Sequence, residues 1–260
     1  HLPRPLGACP LGACLIGDRV GKGLRTSPRD AMIADAAEPG LRGRAFGFHR
    51  AMDHLGAALG PVLAAVFLWC WPGQLRWLFL LTLVPGVVIV PLLLFGLRET
   101  AVGERAAVRP HWSLAPFDRR FRLYLAAVLV FSLGNSSDAF LLVRASELGV
   151  ATPLLPLLWC AFHIVKSAGN LLAGRSVNRL GPRAMIVAGW CLYALVYVLF
   201  ALATAAWQAW ALFLGYAFFY AVTEPAEKPL VANLVGDEHR GLAYGWFNFA
   251  IGLATLPSSL

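Results

Sequence analysis

The chain has 260 residues, 58% of them hydrophobic and only 14% charged, with a net charge of +8 and a mean hydropathy of +0.65. A soluble domain is about half apolar and about a quarter charged, so this composition excludes an ordinary soluble globule and points to a membrane protein. It also argues against a nucleic-acid partner, which would need Lys and Arg clustered among aromatic platforms on a wetted surface.

Taken in order, the chain offers eight segments near the 20 or so apolar residues that cross the hydrocarbon core. They run from Leu11 to Ala37, Ala45 to Trp69, Trp77 to Leu97, Phe121 to Val143, Thr152 to Gly174, Ala184 to Ala203, Gln208 to Val235 and Leu242 to Leu260. The first is unusual in carrying Asp18, Arg19, Lys22, Arg25, Arg29, Asp30 and Asp35, with Asp18, Lys22, Arg25 and Arg29 on one helical face. The start of the chain, HLPRPLGACPLG, lacks a basic head followed by a long apolar core, and the chain opens on His1, so it reads as a fragment without a signal peptide. Cys9, Cys14, Cys70, Cys160 and Cys191 lie in or beside apolar runs, show no metal-site spacing, and read as small buried hydrophobes.

Loop charge alternates. The connections Glu38 to Arg44, Arg98 to Arg122, Arg175 to Arg183 and Gly236 to Arg240 hold 2, 6, 3 and 1 Arg, whereas the intervening ones hold only Arg76 and Arg144. Basic loops stay in the cytoplasm, so the positive charge is an orientation signal for a multi-pass protein of the cell inner (plasma) membrane. The longest connection carries Pro110 and Pro116 and divides the chain into an N-terminal bundle (1–97), a cytoplasmic linker (98–120) and a C-terminal bundle (121–260). An internal repeat supports two halves: RGRAFGFH at Arg42 to His49 matches RGLAYGWF at Arg240 to Phe247, an offset of 198 residues. The same offset sets Arg29 and Asp30 against Glu227 and Lys228, and it spans six helices, as in a parallel duplication.

These residues resemble the major facilitator superfamily (MFS) of secondary transporters. LGAALGPVLA at Leu55 to Ala64 is similar to that family's fifth-helix motif G-x-x-x-G-P, here Gly56, Gly60 and Pro61, with Ala64 and Ala65 in place of the closing glycines. Small residues there let a neighbouring helix approach, and the family associates the motif with antiporters and exporters, which tilts the direction toward efflux. Asp18, Arg19, Gly21 and Lys22 resemble the family's loop between helices two and three, and Arg19, Lys22 and Gly23 its fourth-helix motif. Spacing to Gly60 selects the fourth helix. The loop element of the second half falls at Gly174, Asn178, Arg179, Gly181 and Arg183, where Asn178 replaces the acidic residue and weakens a gating salt bridge. The resemblance implies an all-α, polytopic transmembrane helical bundle of two halves, truncated at both ends and covering about helices four to eleven. The words at Asn135 to Ala145 and Thr223 to Leu234 are similar to those of a bacterial subgroup.

Charged side chains inside spans cost about 2.5–3.5 kcal/mol each at midspan, so they face a cavity or a partner. In a low-dielectric cavity, burial favours a protonated carboxyl and a neighbouring Arg or Lys an ionised one, so such a group can exchange protons as access alternates. The candidates for proton coupling are Asp138, Glu224, Glu227 and Asp30. Arg25, Arg29, Asn135, His163, Lys166, Asn170, Tyr220 and Lys228 are candidates for lining the substrate cavity; His163, Lys166 and Asn170 share one helix face, Tyr220, Glu224 and Glu227 another. The competing reading makes the charges structural ion pairs and makes His163 and His54 packing histidines. Arg29 and Asp30 are expected to face Glu227 and Lys228 across the cavity. Trp69, Trp71 and Trp77 read as interfacial anchors.

IGDRVGK lacks the first Gly of a phosphate-binding loop, and no nucleophile sits in a recognisable catalytic context. The resulting expectation is a non-enzymatic, monomeric, proton-coupled transporter of a small organic solute, with partners limited to solute, protons and lipid bilayer, and no metal or organic cofactor. A membrane-embedded sensor, a lipid-handling protein and an inactive fragment are the alternatives.

Overall fold

A computed structural model describes residues 26–96, 113–135 and 138–255. Among these residues the regular structure is helical: α1 (residues 26–36), α2 (Arg42–Cys70), α3 (Leu75–Leu81), α4 (Leu83–Gly96), α5 (Arg119–Gly134), α6 (Asp138–Glu147), α7 (Leu155–Leu180), α8 (Pro182–Leu202), α9 (Ala206–Leu234) and α10 (Arg240–Thr255). Among the described residues, five segments are long and apolar enough to cross a membrane: Arg42–Cys70, Leu75–Gly96, Arg119–Glu147, Thr152–Leu180 and Pro182–Leu202. The 29-residue α9 matches them in length, about 43 Å at 1.5 Å per residue, but carries Glu224, Glu227 and Lys228.

Two expected spans are interrupted. The one expected at Trp77 to Leu97 comprises α3 and α4, joined at Thr82, whose hydroxyl donates to the Phe79 carbonyl at 2.7 Å. The one expected at Phe121 to Val143 breaks after Gly134: Asn135 leaves the helical region with φ −84° and ψ 102°, and α6 starts at Asp138. Gly134 and Asn135 are poor helix formers, which explains a stop there. Elsewhere local chemistry sets the ends. The Asp118 carboxylate caps α5 by accepting from Phe121 N at 2.9 Å, and Gln208 Oε1 accepts from Thr204 N and Ala205 N at the start of α9. Gly181, with φ +81°, closes α7, and Pro182 opens α8, so one residue makes the turn.

The architecture rests on α9, which touches α2, α5, α6, α7, α8 and α10, and on an antiparallel pair, α2 along α7. The pair is in register over most of its length: Gly43 faces Val177, Gly47 faces Gly174, Ser167 donates to the Ala51 carbonyl at 2.8 Å, and Cys160 lies 3.6 Å from the Ala58 carbonyl. A Cβ on Gly47 would stand 2.6 Å from the Asn170 carbonyl oxygen, and one on Gly174 would stand 2.7 Å from that of Gly43, so only glycine fits this crossing. The close approach is therefore at Gly43, Gly47 and Gly174. At Gly56 and Gly60, where the motif led us to expect it, no described atom lies within 4 Å of an added Cβ, and Pro61 sits inside an unbroken α2.

One buried cluster gathers Phe46, Phe121, Tyr244 and Phe247; another gathers Leu158, Phe162, Phe213 and Tyr216. The periphery is apolar as well: Phe79, Val87, Leu94 and Phe95 on α3 and α4 are exposed, as suits a surface solvated by lipid. Trp69, Trp71 and Trp77 are exposed around the α2–α3 turn. The cysteine expectation needs correction, because Cys70 and Cys191 are exposed and Cys160 is only half-buried; on a lipid-facing surface a small apolar side chain gains nothing from burial. Cys9 and Cys14 lie outside the described residues, as does the linker core 98–112.

Candidate functional site

Three polar clusters lie among the helices packed on α9, which supplies Lys228, Glu224 and the Tyr216–Tyr220 pair. The first joins α1 to α9 and α10. Asp30 and Lys228 form an ion pair with side chains 0% and 2% exposed. Arg29 Nη2 lies 3.4 Å from the other Asp30 oxygen, and Asn248 Nδ2 donates to Asp30 at 3.4 Å. The Tyr244 hydroxyl donates to the Lys228 carbonyl at 2.9 Å, which ties α10 to α9 beside the ion pair. The expected second pair does not form. Glu227 makes no ion pair with Arg29, and the group on Glu227 that does bond is its backbone carbonyl, which accepts from the Tyr124 hydroxyl at 3.4 Å.

The second cluster centres on Glu224, halfway along the interface between α2, α7 and α9. His54 Nε2 on α2 lies 2.7 Å from Glu224 Oε2, and Asn170 Nδ2 on α7 donates to the same oxygen at 2.9 Å. His54 Nδ1 lies 3.3 Å from His163 Nδ1, so one imidazole nitrogen donates and the other accepts. Asn170 Nδ2 also donates to the Lys166 carbonyl at 2.9 Å. His54 is thus more than a packing histidine: it is the contact of α2 to the Glu224 carboxylate of α9.

The third cluster sits where the α5–α6 span breaks. The Tyr216 and Tyr220 hydroxyls both donate to Asp138 Oδ1 at 2.9 Å and stand 3.1 Å from each other. The Lys166 ammonium lies 3.4 Å from the centre of the Tyr220 ring and 4.9 Å from that of Phe162. Asn135 caps α5, and its buried Oδ1 has no hydrogen-bond partner among the described residues. Arg25 lies outside the described residues. Tyr216 was missed in the sequence, although it continues the face of Tyr220 and Glu224 by one turn.

At the arginine-rich ends polar contacts tie α1 to α2 and α10, and α7 to the α1–α2 connection. Arg240 pairs with Asp35 on α1 and with Asp237, Arg42 Nε donates to the Ala34 carbonyl at 3.1 Å, and Asn178 Nδ2 donates to the Gly40 carbonyl. Of the loop residues expected to gate, Gly174 belongs to the α2–α7 crossing, Asn178 crosses between halves, Gly181 makes the turn, and Arg179 and Arg183 are exposed. Neither Asp35 and Arg240 nor Arg42 and Ala34 was paired from the sequence, although the repeat aligns Arg42 with Arg240.

Comparison with known proteins agrees with this arrangement. The family model of the Major Facilitator Superfamily matches residues 13–258. An uncharacterized MFS-type transporter of Methanocaldococcus jannaschii is 27% identical over 96% of this chain and 64% of its own length. Uncharacterized proteins of Mycobacterium bovis and Mycobacterium tuberculosis are each 28% identical over 94% of this chain and 61% of their own length. The chain therefore spans less than two thirds of these relatives. No solved structure matches. A polytopic α-helical membrane chain with a six-helix repeat offset, matched by the family model along nearly its whole length, belongs to the major facilitator superfamily.

Proposed function

We propose that the protein is a monomeric secondary transporter of the cell inner (plasma) membrane. It moves a small organic solute by alternating access, coupled to protons, with export the favoured direction. The observation that carries this reading is Glu224. Its carboxylate is largely buried between α2, α7 and α9 and is held at once by His54 on α2 and Asn170 on α7. Rocking the halves apart changes the company of that carboxylate, and its affinity for a proton changes with its hydrogen bonds. Asp138, with two tyrosine hydroxyls, is the second coupling candidate. Asp30, locked to Lys228 and Asn248, reads better as part of the inter-half hinge, and Glu227, three residues along α9 from Glu224, is the remaining coupling candidate.

The test is flux of labelled organic anions and cations into proteoliposomes under an imposed pH gradient. Gradient-driven accumulation of one member of the panel, abolished by collapsing the gradient, supports the reading. Equal flux with and without the gradient removes the proton coupling, and no flux of any member removes transport.

A further inference from the structure

Lys166 is 4% exposed, yet among the described residues its ammonium makes no ion pair and donates no hydrogen bond. A lysine carries three donors, and burying them without acceptors is costly. The Tyr220 ring beneath it recovers part of this through its face, but a ring accepts no ordinary hydrogen bond. The two nearest carboxylates are engaged elsewhere: Asp138 is taken by Tyr216 and Tyr220, Glu224 by His54 and Asn170. Two further buried polar atoms on the same face of α7 lack partners, His163 Nε2 one turn before Lys166 and Asn170 Oδ1 one turn after it. A buried cation without an acceptor partner, flanked on one helix face by two buried polar atoms without partners, presents groups that a polar, negatively charged ligand would satisfy.

We propose that Lys166 is the anchor for the anionic group of the solute, which makes the substrate a small organic anion bearing a carboxylate or a phosphonate-type oxyanion. The oxyanion takes the ammonium's free donors, and His163 Nε2 and Asn170 Oδ1 meet polar atoms beside it. Both flanking carboxylates already have donors, so the site repels a second negative group and selects a singly headed anion. This inference rests on the carrier reading, because the ammonium is packed against the Phe162 and Tyr220 rings of α7 and α9 here and the anion enters when the halves part.

The experiment is calorimetric titration of the purified protein with benzoate, phenylphosphonate and, as the opposite charge on the same ring, benzylammonium. Saturable binding of benzoate or phenylphosphonate without binding of benzylammonium is expected, and whichever anion saturates identifies the headgroup. Lys166→Met is expected to weaken that binding at least tenfold and Lys166→Arg to retain it, each variant first checked for an unfolding transition. Absence of saturable anion binding in the wild type overturns the proposal, as does preference for benzylammonium or unchanged affinity in Lys166→Met; the wild-type comparison decides even where a variant fails to fold. Anion binding through Lys166 with no flux in proteoliposomes sinks the carrier reading and leaves the site standing. Flux of benzylammonium instead sinks the anion class and leaves the carrier.

Discussion

Asp30 and Lys228 stand 198 residues apart in sequence and touch in space, and 198 residues is also the offset that relates the two repeats. In a parallel duplication, equivalent positions of the two halves can meet only close to the axis that relates them. The pair joins α1 to α9, the two helices that this offset sets against each other. Opposite charges at equivalent positions let the two halves attract where identical residues would repel.

Because both side chains are buried, removing one charge strands the other. Asp30→Asn and Lys228→Met are each expected to destabilise the protein by about 3–5 kcal/mol, whereas the exchange Asp30→Lys with Lys228→Asp recovers much of that loss. Melting of the purified single and double variants in detergent checks this; equal loss in the exchange and in the singles would show that the pair contributes nothing as a pair.

The α2–α7 crossing makes a contrasting pair of predictions. Gly47→Val puts side-chain atoms against the Asn170 carbonyl and is expected to cost about 1–3 kcal/mol or more, because backbone cannot yield as a side chain can. Gly56→Ala meets no described atom and is expected to be neutral within about 0.5 kcal/mol or stabilising, since alanine favours the helix. Thermal denaturation of both in parallel tests where the halves are close; the reverse order of effects would mean that the motif glycines hold the contact.

Much of the fold could be read from the sequence because lipid imposes a simple rule: apolar runs of spanning length become helices. The repeat offset then located the contact of Asp30 with Lys228 without coordinates. The break at Asn135 escaped, since a polar word inside an apolar span reads equally as lining and as interruption. Within the site, Asp138, Glu224, Lys166 and Asn170 were legible as charges and amides that membranes exclude. Their pairing was not. Which histidine reaches Glu224, and why Arg29 leaves Glu227 alone, depends on the rotation and axial shift of α2 against α7 and α9, and these are set by glycine contacts such as Gly43 with Val177 that no single helix records.

Orientation is testable independently of transport. With the arginine-rich connections in the cytoplasm, a cysteine introduced at Arg179 is expected to react with membrane-impermeant maleimide only from the cytoplasmic side, and one at Gln74 only from the opposite side. Labelling is to be scored in whole cells and inverted vesicles, on a background with the native cysteines replaced, because Cys70 and Cys191 are exposed. Labelling of both positions from one side would contradict the alternating topology.

The central claim is that the Glu224 carboxylate, shared between His54 and Asn170, couples protons to the movement of the halves. The most direct measurement is solute flux in proteoliposomes carrying wild type or Glu224→Gln, assayed both as accumulation driven by a pH gradient and as exchange without one. The account predicts that Glu224→Gln loses gradient-driven accumulation while retaining exchange. Accumulation by Glu224→Gln equal to that of the wild type would contradict it.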